Sequence, residues 1–115
     1  MKVLVTGVAG FIGCETARQL LAQGHEVAGI DNLNDYYDVS LKQARLARLR
    51  GHPGFSEALF CLSDEHRLHA WFAHYRPDAV IHLAAQAGVR YSISHPQAYI
   101  TSNLVAFGNM LECCR

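Results

Sequence analysis

Thr6-Gly7-Val8-Ala9-Gly10-Phe11-Ile12-Gly13 is the stretch on which the fold turns. A short β-branched run, Lys2–Thr6, leads into it. Behind it, Phe11–Gln23 carries Ile12, Ala17, Leu20 and Leu21 at helical spacing. A strand that turns through three glycines into a helix is suited to phosphate. Gly7 permits the tight turn, Gly10 lets backbone approach a pyrophosphate, and Gly13 lets the helix pack closely on the strand. The helix N-terminus then offers unpaired N–H groups and a partial positive charge. The spacing is G-x-x-G-x-x-G and not G-x-G-x-x-G, so on its own it also suits a plain tight turn between strand and helix.

Outward from this turn, Gly24 stands where a helix C-cap glycine belongs, and Glu26–Ile30 is a second apolar run. That run stops at the polar cluster Asp31-Asn32-Leu33-Asn34-Asp35. Asp31, at the end of the second strand, can accept hydrogen bonds from both hydroxyls of an adenosine ribose. Its charge would repel a 2′-phosphate, and no Arg follows it closely in sequence. Glycine turn and acid together predict NAD over NADP; a lone acidic turn residue is the plainer alternative.

The rest of the chain alternates in the same way. Ser40–Arg50 reads as a helix capped by Ser40 and ended by Gly51-His52-Pro53-Gly54. Ala58–Leu62 reads as a third strand. Ser63 or Asp64 can cap a helix that runs to Tyr75 and stops before Arg76-Pro77. Ala79–Leu83 reads as a fourth strand buried on both faces. A loop from Gln86 to Pro96 leads to a final helix, Gln97 to Cys114, whose Ile100, Leu104, Phe107 and Leu111 read as core. The expectation is α/β: a Rossmann-type doubly wound parallel sheet, with its first four strands in the order 3-2-1-4 and helices flanking it. Residues 1–115 then form one NAD-binding domain, with the glycine turn and Asp31 at the carboxyl edge of the sheet.

Composition excludes several function classes. The 115 residues are half hydrophobic and 17% charged, which rules out a disordered tail. Ten basic residues balance ten acidic ones, so no net field draws the chain to nucleic acid or an anionic membrane. No apolar run approaches a membrane span, and no secretory segment precedes the first strand. Cys14, Cys61, Cys113 and Cys114 have no disulfide-type or C-x-x-C spacing, which points to reduced thiols and a cytoplasmic location. His66, His69 and His74 share one helix without an acidic or thiol partner and read as solvated, so no metal is expected. Lys42, Arg45, Arg48 and Arg50 read as a solvated basic edge of the Ser40–Arg50 helix.

Four stretches carry a resemblance: Thr6–Gly13, Asp31–Asp38, His82-Leu83-Ala84-Ala85-Gln86-Ala87-Gly88-Val89-Arg90-Tyr91-Ser92 and Ser102-Asn103-Leu104. They resemble the extended short-chain dehydrogenase/reductase family of NAD-dependent epimerases and dehydratases. Within it they are most similar to the UDP-glucuronate 4-epimerases, along the whole chain. The resemblance implies a tightly held NAD that takes hydride from C4 of a nucleotide sugar and returns it to the other face. By analogy Gly7, Gly10, Phe11, Ile12 and Gly13 lie along the pyrophosphate. Asp31, Asn32 and Asn34 lie at the adenosine ribose, with Lys42 near its phosphates. Leu62 belongs to the adenine end, Leu83, Ala84 and Ala85 close over the cofactor, and Asn103 holds the family's asparagine position. Arg90 falls in the segment that faces substrate, where a guanidinium could meet diphosphate or carboxylate. His82 is expected to support the turn it precedes.

The chain departs from the family pattern in two places. Cys61 stands where relatives place an Asp for the adenine amino group, with Asp64 near enough to compensate. The family's proton-transfer pair, a Tyr with Lys four residues later, is absent. Tyr36, Tyr37, Tyr75, Tyr91 and Tyr99 are followed at that distance by Ser40, Leu41, Ala79, His95 and Asn103. The expectation is the N-terminal, cofactor-binding part of a longer epimerase, inactive by itself, with no catalytic residue of its own. A UDP-sugar is the expected substrate of the complete enzyme, and association into a homodimer is left open. A dehydratase or decarboxylase of the same family, acting on a UDP- or dTDP-sugar, and a non-catalytic NAD-binding module are the alternatives.

Overall fold

A computed structural model describes residues 1–36 and 38–115; Tyr37, part of the Asp31–Asp38 resemblance, lies outside the described residues. The chain divides into two compact units, Met1–Phe60 with Pro77–Leu83, and Cys61–Arg76 with Ala84–Arg115.

The first unit is built on a parallel sheet. Its strands are β1 (Lys2–Thr6), β2 (Glu26–Asp31), β3 (Phe55–Leu59) and β4 (Ala79–His82), and its helices are α1 (Phe11–Ala22) and α2 (Val39–Arg50). The spatial order is β3-β2-β1-β4, as the alternating pattern predicts. β1 pairs with β2 from Lys2 opposite Glu26 to Thr6 opposite Ile30, and with β4 from Val3 opposite Ala79 to Thr6 opposite His82. Thr6, Ile30 and His82 therefore end level. The segments that follow them, the glycine turn, Asp31 and Leu83, leave from one edge of the sheet.

Central position explains which strands are apolar throughout. Leu4, Val5, Val27 and Ile30 are fully buried in β1 and β2. α1 packs on β1 and β2 and touches α2, closing a core of Val3, Val5, Val8, Ala9, Cys14, Ala17, Leu21, Val27, Leu46 and Leu49. Full burial of one such Leu is worth about 1.5–3 kcal/mol. β4 is one residue shorter than expected, and all four of its residues are only half-buried, because it is an edge strand of this sheet.

Two further expectations are corrected here. The third strand is Phe55–Leu59 and not Ala58–Leu62. Its position is set by backbone pairing with β2, Val27 opposite Phe55 to Asp31 opposite Leu59, while Phe60 and Leu62 are buried outside the ladder. α2 begins one residue earlier than expected and is capped by Asp38, not Ser40. The Asp38 carboxylate accepts from Ser40 N at 2.9 Å and from Ser40 Oγ at 2.7 Å.

The second unit is helical. α3 (Glu65–Tyr75) is capped by Asp64, which accepts from Arg67 N at 3.1 Å. Two single turns follow, α4 (Tyr91–Ser94) and α5 (Pro96–Tyr99), then a π-helical segment Ile100–Val105 and α6 (Ala106–Cys114). The single final helix expected from Gln97 to Cys114 is thus interrupted, and the loop before it holds a helical turn. Its apolar stripe is also corrected: Ile100, Leu104, Phe107 and Leu111 are exposed. α6 packs against α3 through another face, on which Ala106 and Met110, four residues apart, are buried. No helix among the described residues is long and apolar enough to cross a membrane.

Candidate functional site

The glycine turn is held from beneath by β2, whose Ile30 O accepts from Gly7 N at 2.9 Å. Gly7 has φ 68°, a left-handed conformation that costs glycine least. Gly10 N donates to Gly7 O at 2.9 Å, which closes the turn. The same carbonyl sets the requirement at Gly13, where a Cβ would stand 2.1 Å from it. Helix and turn therefore meet backbone to backbone. α1 starts at Gly10 with no side-chain cap and no acidic residue in its first turn. No acidic side chain within that turn therefore competes for its amides.

Asp31 ties this turn to the next loop. Its Oδ2 accepts from Ala9 N at 3.0 Å and its Oδ1 from Leu33 N at 2.8 Å, with the side chain buried. Leu33 adopts φ 53° under that constraint. The loop repeats the device: Asn32 Oδ1 accepts from Asn34 N at 3.0 Å, and Asn34 Oδ1 from Tyr36 N at 2.8 Å. Lys42, from α2, donates from Nζ to Asn34 O at 2.7 Å. Asp31, Asn32 and Asn34 thus lie on one loop beside the glycine turn, and Lys42 reaches it from α2.

Thr6 has a part that the sequence reading did not assign. Its Oγ1 accepts from Leu83 N at 3.0 Å and lies 2.8 Å from His82 Nδ1. One hydroxyl thereby fixes the exits of β1 and β4, and His82 supports the turn as expected. Burial pushes the His82 pKa below its ordinary value, favouring a neutral ring. Leu83 itself is exposed.

Within the second unit, Asn103 lies on the π-helical segment and its Oδ1 accepts from Gln86 N at 2.8 Å. Gln86 is buried and Ala87 O accepts from Tyr99 OH at 3.0 Å, so Asn103 and Tyr99 brace the loop after Ala84 and Ala85. Gln86 and Tyr99 are further residues the sequence reading did not single out. Arg90 is exposed and directly precedes α4. Leu62 is buried, and its carbonyl accepts from Asn109 Nδ2 at 3.0 Å. Cys61 lies beyond the end of β3, with Sγ 2.9 Å from Ser63 Oγ. Asp64 caps α3 through Oδ1, which leaves its second carboxylate oxygen outside that bond.

The basic edge of α2 is corrected in part. Arg48 is exposed, and Arg50, also exposed, pairs with Glu57 at 2.8 Å. Lys42 and Arg45 are half-buried and reach the site loops, Arg45 by donating to Ala9 O at 3.3 Å. His66, His69 and His74 are exposed on α3, and no group of three potential metal ligands occurs among the described residues.

A family model described as GDP-mannose 4,6 dehydratase matches residues 4–115. The chain belongs to this family of NAD-dependent epimerases and dehydratases. Protein CapI of Staphylococcus aureus is 50% identical over 115 residues, covering all of this chain and 34% of that protein. A probable UDP-glucuronate 4-epimerase of Rhizobium meliloti is 46% identical over 115 residues, again all of this chain and 34% of the relative. The UDP-glucuronic acid 4-epimerase of Bacillus cereus, solved with UDP-glucuronic acid and NAD, superposes with a TM-score of 0.90. It is 34% identical, over 99% of this chain and 36% of that one. This GDP-mannose 4,6 dehydratase family member thus spans about a third of the length of the curated relatives it matches.

Proposed function

We propose that these residues are the NAD-binding part of a nucleotide-sugar 4-epimerase, with UDP-glucuronate as substrate and UDP-galacturonate as product. The glycine turn carries the reading: a Cβ at Gly13 would lie 2.1 Å from Gly7 O, and Asp31 grips the same turn through Ala9 N. That backbone approach and uncapped helix start suit a pyrophosphate, and the carboxylate keeps lone pairs for a ribose diol. NAD, when bound, supplies hydride transfer at a sugar carbon. The chain's own residues bind and orient it: Gly7, Gly10, Phe11, Ile12 and Gly13 along the diphosphate, Asp31, Asn32, Asn34 and Lys42 at the ribose side. Leu62 serves the adenine end, Leu83, Ala84 and Ala85 cover the cofactor, Asn103 braces the covering loop, and Arg90 meets the substrate.

UDP-glucuronate is the substrate in this reading because relatives 46% and 34% identical carry that activity in their names. None of these 115 residues forms the Tyr–Lys pair that would move the proton, so the chain is assigned cofactor binding and no turnover of its own. We place residues 1–115 in one cytoplasmic cofactor domain, and the exposed stripe of Ile100, Leu104, Phe107 and Leu111 supports a homodimer. The family model's own description favours a dehydratase as the second reading.

Calorimetric titration with NAD and NADP tests the cofactor reading. NAD is expected to bind at least about tenfold more tightly, since the carboxylate meets a diol in one and a phosphate in the other. Equal affinity, or preference for NADP, overturns it. Chromatography of UDP-sugars after incubation with the chain and NAD should show no UDP-galacturonate; its formation would refute the assignment of binding without turnover.

A further inference from the structure

Arg45 stands 36 residues from Ala9 in sequence, yet its Nη1 donates to Ala9 O at 3.3 Å. Its guanidinium carbon lies 5.9 Å from the centre of the Phe11 ring, within cation–π range. Its own backbone carbonyl receives Cys14 Sγ at 3.5 Å, and that cysteine is buried in the core that α1 and α2 share. Three contacts thus bind one residue of α2 to the glycine turn and the first turn of α1.

The consequence lies at Ala9. Its N–H is taken by Asp31 Oδ2 at 3.0 Å and its C=O by Arg45, so both polar backbone groups of one turn residue are held from outside the turn. In a planar trans peptide the carbonyl of Ala9 and the N–H of Gly10 point in opposite directions. Fixing the carbonyl at a guanidinium therefore also fixes the amide, which donates to Gly7 O at 2.9 Å. Were this peptide to flip, the Gly10 amide would leave Gly7 O and a carbonyl oxygen would face it instead, so the turn that sets the start of α1 would open.

We propose that Arg45 is a positioning residue that locks the glycine turn in its anion-receiving form, so that α2 governs affinity for the diphosphate of a dinucleotide. The inference rests on the NAD reading above, and it makes a separate statement about the ligand-free turn. Arg45 acts through the Ala9 carbonyl, so the nucleoside end of the ligand is indifferent to it.

Arg45→Met and Arg45→Lys variants of the chain separate these statements. Amide exchange followed by NMR without ligand should show Ala9, Gly10 and Cys14 exchanging about tenfold faster in Arg45→Met, the loss of one charge-assisted bond. The amides of β1 and β2 should be unchanged. Titration should show NAD and ADP weakened about tenfold and adenosine less than about twofold. Arg45→Lys, which keeps a charged donor, should recover part of both effects. Unaltered exchange of the turn in Arg45→Met overturns the proposal, as does equal weakening of adenosine and ADP. Weaker ADP binding without faster exchange also overturns it, since Arg45 would then touch phosphate directly. If the unmodified chain binds no NAD, the cofactor reading fails, while the exchange rates still decide whether Arg45 locks the turn.

Discussion

Gly13→Ala puts the turn geometry to a quantitative test. The new Cβ would lie 2.1 Å from Gly7 O, 2.8 Å from Gly7 C and 3.1 Å from Val8 Cα, all backbone atoms. No side chain can rotate away, and Gly7 is pinned by its 2.9 Å bond to Ile30 O. The helix must back off or the turn must open. Overpacking costs about 1–3 kcal/mol, and a backbone obstacle calls for the upper value of about 3. The greater helix propensity of Ala offsets about 1 kcal/mol, leaving a net loss of about 2 kcal/mol. A chain of 115 residues unfolds with an entropy near 0.24 kcal/mol/K, so Tm should fall by about 8 °C. Gly108→Ala is the companion: it lies exposed in α6 with nothing within 4 Å of a Cβ. There the propensity gain stands alone, and Tm should rise by about 2–4 °C. Thermal melts followed by circular dichroism read both variants. A Gly13→Ala protein that melts at or above the unmodified chain refutes the close-approach argument.

Three other perturbations have defined outcomes. Asp31→Asn leaves one acceptor oxygen for the amides of Ala9 and Leu33, and the loss of a bond to a charged acceptor should cost about 1.5–3 kcal/mol in urea unfolding. An unchanged midpoint would mean that neither bond matters. Thr6→Val keeps the β-branched shape but leaves Leu83 N without its hydroxyl, at about 1–3 kcal/mol, whereas Thr6→Ser should recover most of it; equal stability of Val and Ser variants would contradict this. His82 has a pKa depressed by burial, so the unfolded chain binds its proton more readily than the folded one. Its contribution is full above about pH 6.5 and declines as pH falls from there toward the folded pKa. Urea midpoints between pH 8 and 5 should fall less steeply in His82→Gln; an identical slope would place the pH dependence elsewhere.

Strand order follows from the alternation of strands and helices, and the bounds of β1 and the starts of α1 and α3 can be read from the sequence because each is signalled locally. Val3, Leu4 and Val5 form a buried run, and Gly24 and Asp64 mark an end and a start. The third strand escaped that reading because Phe60 and Leu62 are buried for reasons outside the ladder. The true strand, with Ser56 and Glu57, is selected by pairing with β2. The final helix misled because a π-helical segment changes the rotation between Ile100 and Phe107, breaking the assumption of a constant period. At the site, Gly7, Gly13 and Asp31 announce themselves by residue type. Arg45 and the Thr6 hydroxyl do not, since their contacts span 36 and 77 residues and exist only once helices and strands have met.

The Asp31 clasp also constrains anyone who would redesign the site. On the proposed reading that Asp31 meets the adenosine ribose, making room for a phosphate on the 2′-oxygen begins with removal of that carboxylate. The same exchange takes the acceptor from the amides of Ala9 and Leu33. A workable redesign therefore installs a neutral acceptor or a rebuilt loop first, and adds positive charge afterwards. On that reading a library varied at position 31 alone would select for stability as well as for cofactor preference, because one side chain carries both.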